Sequence, residues 1–500
     1  MKIIRNLIFL ISLFIVGAAS SVSAQQAQPT PSNEDLQKRI VEMEAQMKQM
    51  REELINLKNA LPANQPTTAQ TVTTNDSTVA KAEVKTETKT ETKTETKTAQ
   101  NADATKQTQP KPLGVDIGSA RLIPYGTIYF NAFSDSAGTN NADVPLFATP
   151  TGNGNTSASV RQTRLGVRVE GVKVGRANLK AVLEADFFGG FPSVGIGENF
   201  GVVRLRLANA RLDWEKTSLT VGQDWMVFAP VNPTSLAAAA IPQMAAAGNA
   251  WARLPQIKVE RKLNKNFTFA GALLAPQTGD YNTASSFFLQ PTSGASSKLP
   301  FFQSRVAYAD TNFFGTRKAG SVGLSGHYGR SRVFTGTASN VENDIESIGI
   351  ALDWNAPLSA QLNLSGEAFF GRNLGGFQTG VFQSYNNDFA YRSGATLIAG
   401  GVRSIGTRGG WMQLGFTPDF LENKLSFYGS IGIDDPTDAD LISRTPRDFR
   451  RQNFAFAFDA IYKFTPQFQI GAEFRRLQTL YLLSGRRNAN HVNLSAAYSF

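Results

Sequence analysis

The chain has 500 residues with no cysteine, two histidines and a net charge of +10. Disulfides, thiolate metal sites and thiol chemistry are therefore excluded, and His327 with His491 cannot make a histidine-rich metal site. Once residues 1–113 are set aside, +8 remains on 114–500, carried by 26 Arg and only 10 Lys, a bias that takes its meaning from where those arginines fall.

Lys2 and Arg5 precede an apolar run from Leu7 to Val16 and the small-residue stretch Gly17 to Ala24. Val22-Ser23-Ala24 fits a small-x-small cleavage site, so residues 1–24 read as a signal peptide with the mature chain starting at Gln25. No later run reaches the ~18 consecutive apolar residues of a spanning helix. Export also argues against nucleic acid as the partner of this basic chain.

Leu36, Ile40, Met43, Met47, Met50, Leu54, Leu57 and Leu61 alternate spacings of four and three, an a/d heptad seam. Ser32 or Asn33 can cap its start and Pro62 discourages continuation. This predicts a coiled-coil helix within residues 25–61, and hence an oligomer; the plain alternative is one amphipathic helix lying on a surface. Residues 62–113, with the repeat Lys85-Thr86-Glu87-Thr88-Lys89-Thr90-Glu91-Thr92, have no apolar face to offset ordering entropy and read as a disordered linker.

Over 114–500 the texture becomes segments of about ten residues that alternate apolar with polar or small. Val492, Leu494, Ala496, Tyr498 and Phe500 share one face, against His491, Asn493, Ser495, Ala497 and Ser499. Phe454 to Tyr462, Leu425 to Ile433, Leu362 to Phe370 and Leu179 to Phe187 repeat the pattern. A soluble sandwich would also alternate. Here, though, the apolar face ends in aromatics, the other face carries charge, and short connections such as Asn355-Ala356-Pro357 alternate with long ones such as 371–395. Strands facing lipid must close on themselves to pair every backbone group, which predicts an antiparallel transmembrane β-barrel of about sixteen strands.

Charge facing mid-membrane lipid costs ~2–4 kcal/mol, so the apolar sets must face outward. Arg164 and Arg168, with Gln162, Gly166 and Glu170, then point into the lumen, as do Lys180, Glu184 and Asp186, Arg204 and Arg206, and Lys258 and Glu260. One expectation is an arginine-rich wall that attracts anions such as carboxylates. The other is an internal lattice in which Glu170, Glu184 and Asp186 neutralise those arginines. Between the fifth and sixth strands lies Phe228 to Trp251, a candidate constriction loop bearing Pro230, Asn232, Leu236, Ile241, Met244 and Asn249. Leu236 to Ile241 and Met244 to Ala247 hold no charge, so an inward fold would place an uncharged wall opposite the arginines. The alternative is a short apolar helix packed on the barrel.

Ser325 and His327 could share a face, but no orienting carboxylate neighbours them and no enzyme is expected. Gly195, Gly197 and Gly201 miss dinucleotide spacing and read as a turn. Asp434, Asp435, Asp438 and Asp440 read as an acidic turn rather than a Ca²⁺ loop, and no cofactor is expected.

Tyr498-Ser499-Phe500 resembles the C-terminal signal by which bacterial outer-membrane barrels are recognised by their assembly machinery. Pro124-Tyr125-Gly126, Arg161 to Gly166, Val221 to Trp225 and Ala252 to Ile257 resemble stretches of the DcaP-like trimeric outer-membrane porins, with the phosphate-selective porins as a second likeness. The first resemblance implies a sixteen-stranded barrel in the outer membrane, a periplasmic coiled coil, a homotrimer and passive diffusion of small solutes; the expectation of a preference for anions rests on the arginine wall alone. The uncharged loop departs from a phosphate-type eyelet built on loop lysines. The alternative function is a structural anchor holding a periplasmic or cell-wall partner through the coiled coil.

Overall fold

The computed structural model describes residues 114–190, 201–280, 290–335 and 341–500. The predicted signal peptide, the coiled-coil residues Leu36 to Leu61 and the linker lie outside the described residues, as do Gly195 and Gly197.

Alternating, β-branched and aromatic segments form strands throughout. In chain order they are β1 (Val115–Ile117), β2 (Ala120–Thr139), β3 (Ala148–Ser159), β4 (Arg164–Val174), β5 (Ala177–Asp186), β6 (Arg204–Asp213) and β7 (Thr217–Trp225). Then come β8 (Arg253–Lys262), β9 (Phe267–Leu274), β10 (Phe301–Asp310), β11 (Gly320–Thr335), β12 (Val341–Pro357) and β13 (Leu362–Arg372). The remainder are β14 (Tyr385–Ser393), β15 (Thr396–Ser404), β16 (Gly406–Phe416), β17 (Leu425–Pro436), β18 (Arg450–Lys463), β19 (Phe468–Tyr481) and β20 (Arg486–Ser499).

Each wall strand pairs antiparallel with its neighbour, and β20 returns to β2 in the register Thr127↔Ser499 through Asp135↔His491. Both β3 and β4 pair with β2, one with its upper half and one with its lower half, so together they make a single wall strand. The three-residue β1 only folds back on the start of β2, and β14 with β15 forms a separate hairpin in a loop. The result is a closed antiparallel barrel of sixteen strands, with no edge left unpaired.

Leu165, Leu183, Leu205, Val221, Ile257, Leu324, Ile350, Phe370, Ile431 and Leu494 are exposed on the outer face. An apolar belt of that extent is stable only against lipid. Exposed Phe267, Phe416, Phe464, Phe468, Tyr498 and Phe500 ring its short-turn end as an aromatic girdle. No described helix is long and apolar enough to cross a membrane; the crossing is made by strands. The tight turn expected at Asn355-Ala356-Pro357 falls later. Strand β12 runs through Pro357 because Ala356 and Pro357 still pair with Leu364 and Asn363.

One bulge matters for the inner wall. Across β5–β6, Glu184 pairs with Leu207 but Ala185 pairs with Leu205, which leaves Arg206 as the extra residue. The inserted residue shifts the alternation by one, so Arg204 and Arg206 share the inner side with Arg211 and Asp213 further down.

Candidate pore constriction

The segment 226–252, between β7 and β8, contains no helix, which removes the expectation of a short apolar helix. It is nearly all buried, with Phe228, Ala240, Ala246 and Ala250 fully so. A buried, irregular backbone must find hydrogen-bond partners, and this one has few polar side chains of its own. The barrel wall supplies them. Gln303 Oε1 on β10 accepts the N–H groups of Val227 and Phe228 (2.9 and 3.0 Å), and Ser325 Oγ on β11 accepts Ala229 N–H (3.2 Å). Gln413 on β16 binds both the N–H and the carbonyl of Thr234 (2.9 and 2.8 Å). Glu367 on β13 accepts Ala250 N–H (2.6 Å), and Asn453 on β18 donates to the Ala246 carbonyl (2.9 Å).

These partners sit on strands spread around the barrel, so the loop lies inside it. Gln243 donates to Asp459 on β18 (3.0 Å) and to Glu473 on β19 (2.8 Å), and Ser235 donates to Glu473 (2.6 Å). The approach is close enough to require glycine in the wall: a Cβ on Gly432 would stand 2.1 Å from the Ala247 carbonyl oxygen. Of the residues singled out by sequence, Asn249 bridges the loop to itself by donating to Asn232 Oδ1 (3.2 Å) and to the Gln243 carbonyl (2.9 Å). Met244 packs under Trp411, Leu236 packs against Tyr129 and Ile461, and Ile241 packs beside Trp251. Pro230 is exposed.

The loop also touches the basic wall. Gln162 accepts the N–H groups of Ala239 and Ala240 and donates to the Ala237 carbonyl (2.8, 2.9 and 2.7 Å). Arg204 pairs with Asp186 (2.6 Å), and Arg206 pairs with Glu184 (2.7 Å) and Asp186 (2.8 Å). Lys180 lies 3.4 Å from Asp213, which also holds Arg211 at 2.7 Å, and Arg211 reaches Glu260. Lys258 pairs with Asp224 (2.7 Å).

Arg164 and Arg168 are treated differently. Arg164 donates to the Tyr129 hydroxyl (3.3 Å), and the Arg168 guanidinium lies 4.4 Å from the Tyr125 ring centroid. Tyr125 in turn donates to Glu184 (3.0 Å), so both oxygens of that carboxylate are taken by Tyr125 and Arg206. Glu170 stands across from Arg121 in the β2–β4 register and forms no ion pair with Arg164 or Arg168. The expected lattice thus neutralises Arg204 and Arg206 but leaves Arg164 and Arg168 on aromatic faces.

Two further basic residues belong to the basic wall. Arg211 was hidden by the bulge at Arg206, which reverses the simple alternation. Arg253, at the loop's exit, stacks its guanidinium 4.9 Å from the Trp225 centroid and 5.2 Å from Trp251. The signal was present as an arginine directly after an aromatic neck, Trp251-Ala252-Arg253.

Ser325 and His327 both face inward and do not bond to each other: Ser325 serves Ala229, while His327 Nε2 lies 2.9 Å from Ser347 Oγ. His327 is walled in by Phe228, Phe301 and Phe377. The expected acidic turn does not form as one unit: Asp434 and Asp435 lie on β17, Asp434 and Asp440 are buried, and the four carboxylates diverge. Asp434 takes Val381 N–H and Thr407, Asp435 takes Arg408, Asp438 takes Arg451, and Asp440 takes Arg403. Among the described residues no cluster could hold a metal ion.

A closed barrel with an apolar outer belt, a charged inner wall and a loop folded inside it is the architecture of a porin-type membrane channel. No protein-family model and no curated protein matches the chain. Among solved structures it is similar to the outer-membrane channel DcaP of Acinetobacter baumannii, with TM-score 0.57 and 18% identity over 77% of this chain and 99% of that one. Lesser likenesses are Salmonella typhi OmpF in complex with daunomycin (TM-score 0.47, 13% identity, 78% of this chain and 100% of that one) and an anion-selective porin from Comamonas acidovorans (0.46, 14%, 76% and 100%). At this identity the likeness to DcaP concerns the fold, that of an outer-membrane channel.

Proposed function

We propose that the protein is an outer-membrane porin through which small hydrophilic solutes diffuse passively, with a preference for anions such as small carboxylates. The observation that carries the preference is the position of Arg164 and Arg168. Both face inward without a carboxylate partner, so their charge is left to act on solutes, whereas Arg204 and Arg206 are matched by Asp186 and Glu184. A cationic wall in a confined lumen raises the local concentration of anions. Lys180, like Arg204 and Arg206, is matched, its ammonium 3.4 Å from Asp213. The uncharged loop sets the width opposite, without the lysines of a phosphate eyelet.

The homotrimer, the coiled coil within residues 25–61 on the periplasmic side and the anchoring of Tyr498 and Phe500 by the assembly machinery belong to the same proposal. The test is the reversal potential in a planar bilayer under a salt gradient. An anion-selective value is expected; a cation-selective one overturns the preference, and a purified barrel that never conducts favours the anchor reading.

A further inference from the structure

Where the loop passes the basic wall, one atom collects three guanidinium groups. The carbonyl oxygen of Ala240 lies 2.9 Å from Arg204 Nη2, 3.1 Å from Arg253 Nη2 and 3.5 Å from Arg206 Nη1. A peptide carbonyl bears only a partial negative charge, and hydrogen bonds from cations are strongest to a full anion. Arg204 and Arg206 have Asp186 and Glu184 to balance them. Arg253 has no carboxylate partner among the described residues. Its Nη1 is buried with no hydrogen-bond partner there, a costly state for a charged donor. Trp225 and Trp251, whose ring centroids are 6.1 Å apart, lie side by side against the guanidinium and limit where its fork can point.

We infer that Arg253, together with Arg204 and Arg206, forms an anion seat that the Ala240 carbonyl fills in the resting pore, and that a small carboxylate displaces this carbonyl and moves the constriction loop. The two oxygens of a carboxylate match Nη1 and Nη2 of Arg253 at once, while the carbonyl engages only Nη2. Occupation by the anion therefore satisfies the orphaned donor and turns the Ala240 carbonyl out of the seat. Gln162 keeps its hold on Ala237, Ala239 and the Ala240 N–H, so the movement is confined to the stretch that follows, towards Ile241. The loop becomes a gate read by the solute that it admits, a consequence that rests on the porin reading, although the seat itself does not.

The test uses the full-length protein and succinate as the probe, at constant ionic strength made up with sodium chloride. Because Trp225 and Trp251 both lie against Arg253, tryptophan fluorescence reports occupation without any need for conduction. A saturable succinate-dependent change is expected, with the midpoint moved roughly tenfold or more by Arg253→Gln and less by Arg253→Lys, which keeps the charge but loses the fork. In bilayers succinate should raise the frequency of conductance steps in the parent and not in Arg253→Gln. Heat-resistant migration of the assembled barrel checks the fold of each variant, and Arg253→Lys keeps the test open if Arg253→Gln does not assemble. A succinate response unchanged in both variants overturns the seat, as does a parent with no response. Fluorescence that responds through Arg253 in a barrel that never conducts keeps the seat and overturns the porin reading instead.

Discussion

The side chain of Gln162 grips the backbone around Ala240, its Oε1 accepting the Ala240 N–H at 2.9 Å while being 1% exposed overall. Since Ala239 N–H and the Ala237 carbonyl bond to the same amide, one wall residue satisfies three backbone groups of a loop that has no polar side chain there. The loop is held in the lumen by the wall rather than by its own structure.

Gln162→Ala should therefore loosen the loop without opening the barrel. Each backbone group left buried and unpaired costs ~1–3 kcal/mol, enough to populate displaced loop positions. Single-channel recordings should show higher open-channel noise and larger mean conductance, with the assembled barrel still migrating as folded.

The arginines of the basic wall should separate into two kinds. Arg164→Gln with Arg168→Gln removes charge that is held in no ion pair, so the reversal potential should move towards cations while assembly is kept. Arg206→Gln instead takes the ion-pair partner from buried Glu184, while Asp186 keeps Arg204, and breaking such a buried pair costs ~3–5 kcal/mol. Its main effect should be a lower temperature for loss of the folded band in semi-native electrophoresis.

Glu473 is the acceptor on which the loop's far side depends. It takes Ser235 (2.6 Å), Gln243 (2.8 Å) and the buried Arg475 (2.5 Å). Glu473→Ala should both release the loop and leave Arg475 without its ion-pair partner, so thermal stability and loop order should fall together. Glu473→Gln, which keeps acceptor and shape, should lose less on both measures, by electrophoretic melting and by protease sensitivity of the loop.

The last residue closes the barrel. Phe500 exchanges two backbone hydrogen bonds with Gly126 (3.2 and 3.1 Å), and a Cβ on Gly126 would stand 2.7 Å from the Phe500 ring. Deleting Phe500 should sharply reduce assembled barrel in the membrane fraction. Gly126→Val should reduce it too, by pushing the ring aside; unchanged surface levels in the Phe500 deletion would count against the proposed insertion signal.

The barrel itself was legible along the chain because strand alternation is a local property. Each side chain's face follows from its neighbours two residues away, so Leu165, Val167 and Leu494 announce lipid, and Arg164 and Arg168 the lumen. The uncharged stretch from Leu236 to Ile241 also marks an unusual loop. Local reading reached its limit where one residue breaks the period: the bulge at Arg206 turns Arg211 inward, and nothing in the alternation signals it. It stopped as well at contacts between distant segments. Which arginines keep their charge free, which glutamine holds Ala240 and which carboxylate receives Gln243 depend on residues far apart in the chain that meet only when the sheet closes. Period two determined the wall of this protein; closure of the wall around an inward loop decided what that wall can do.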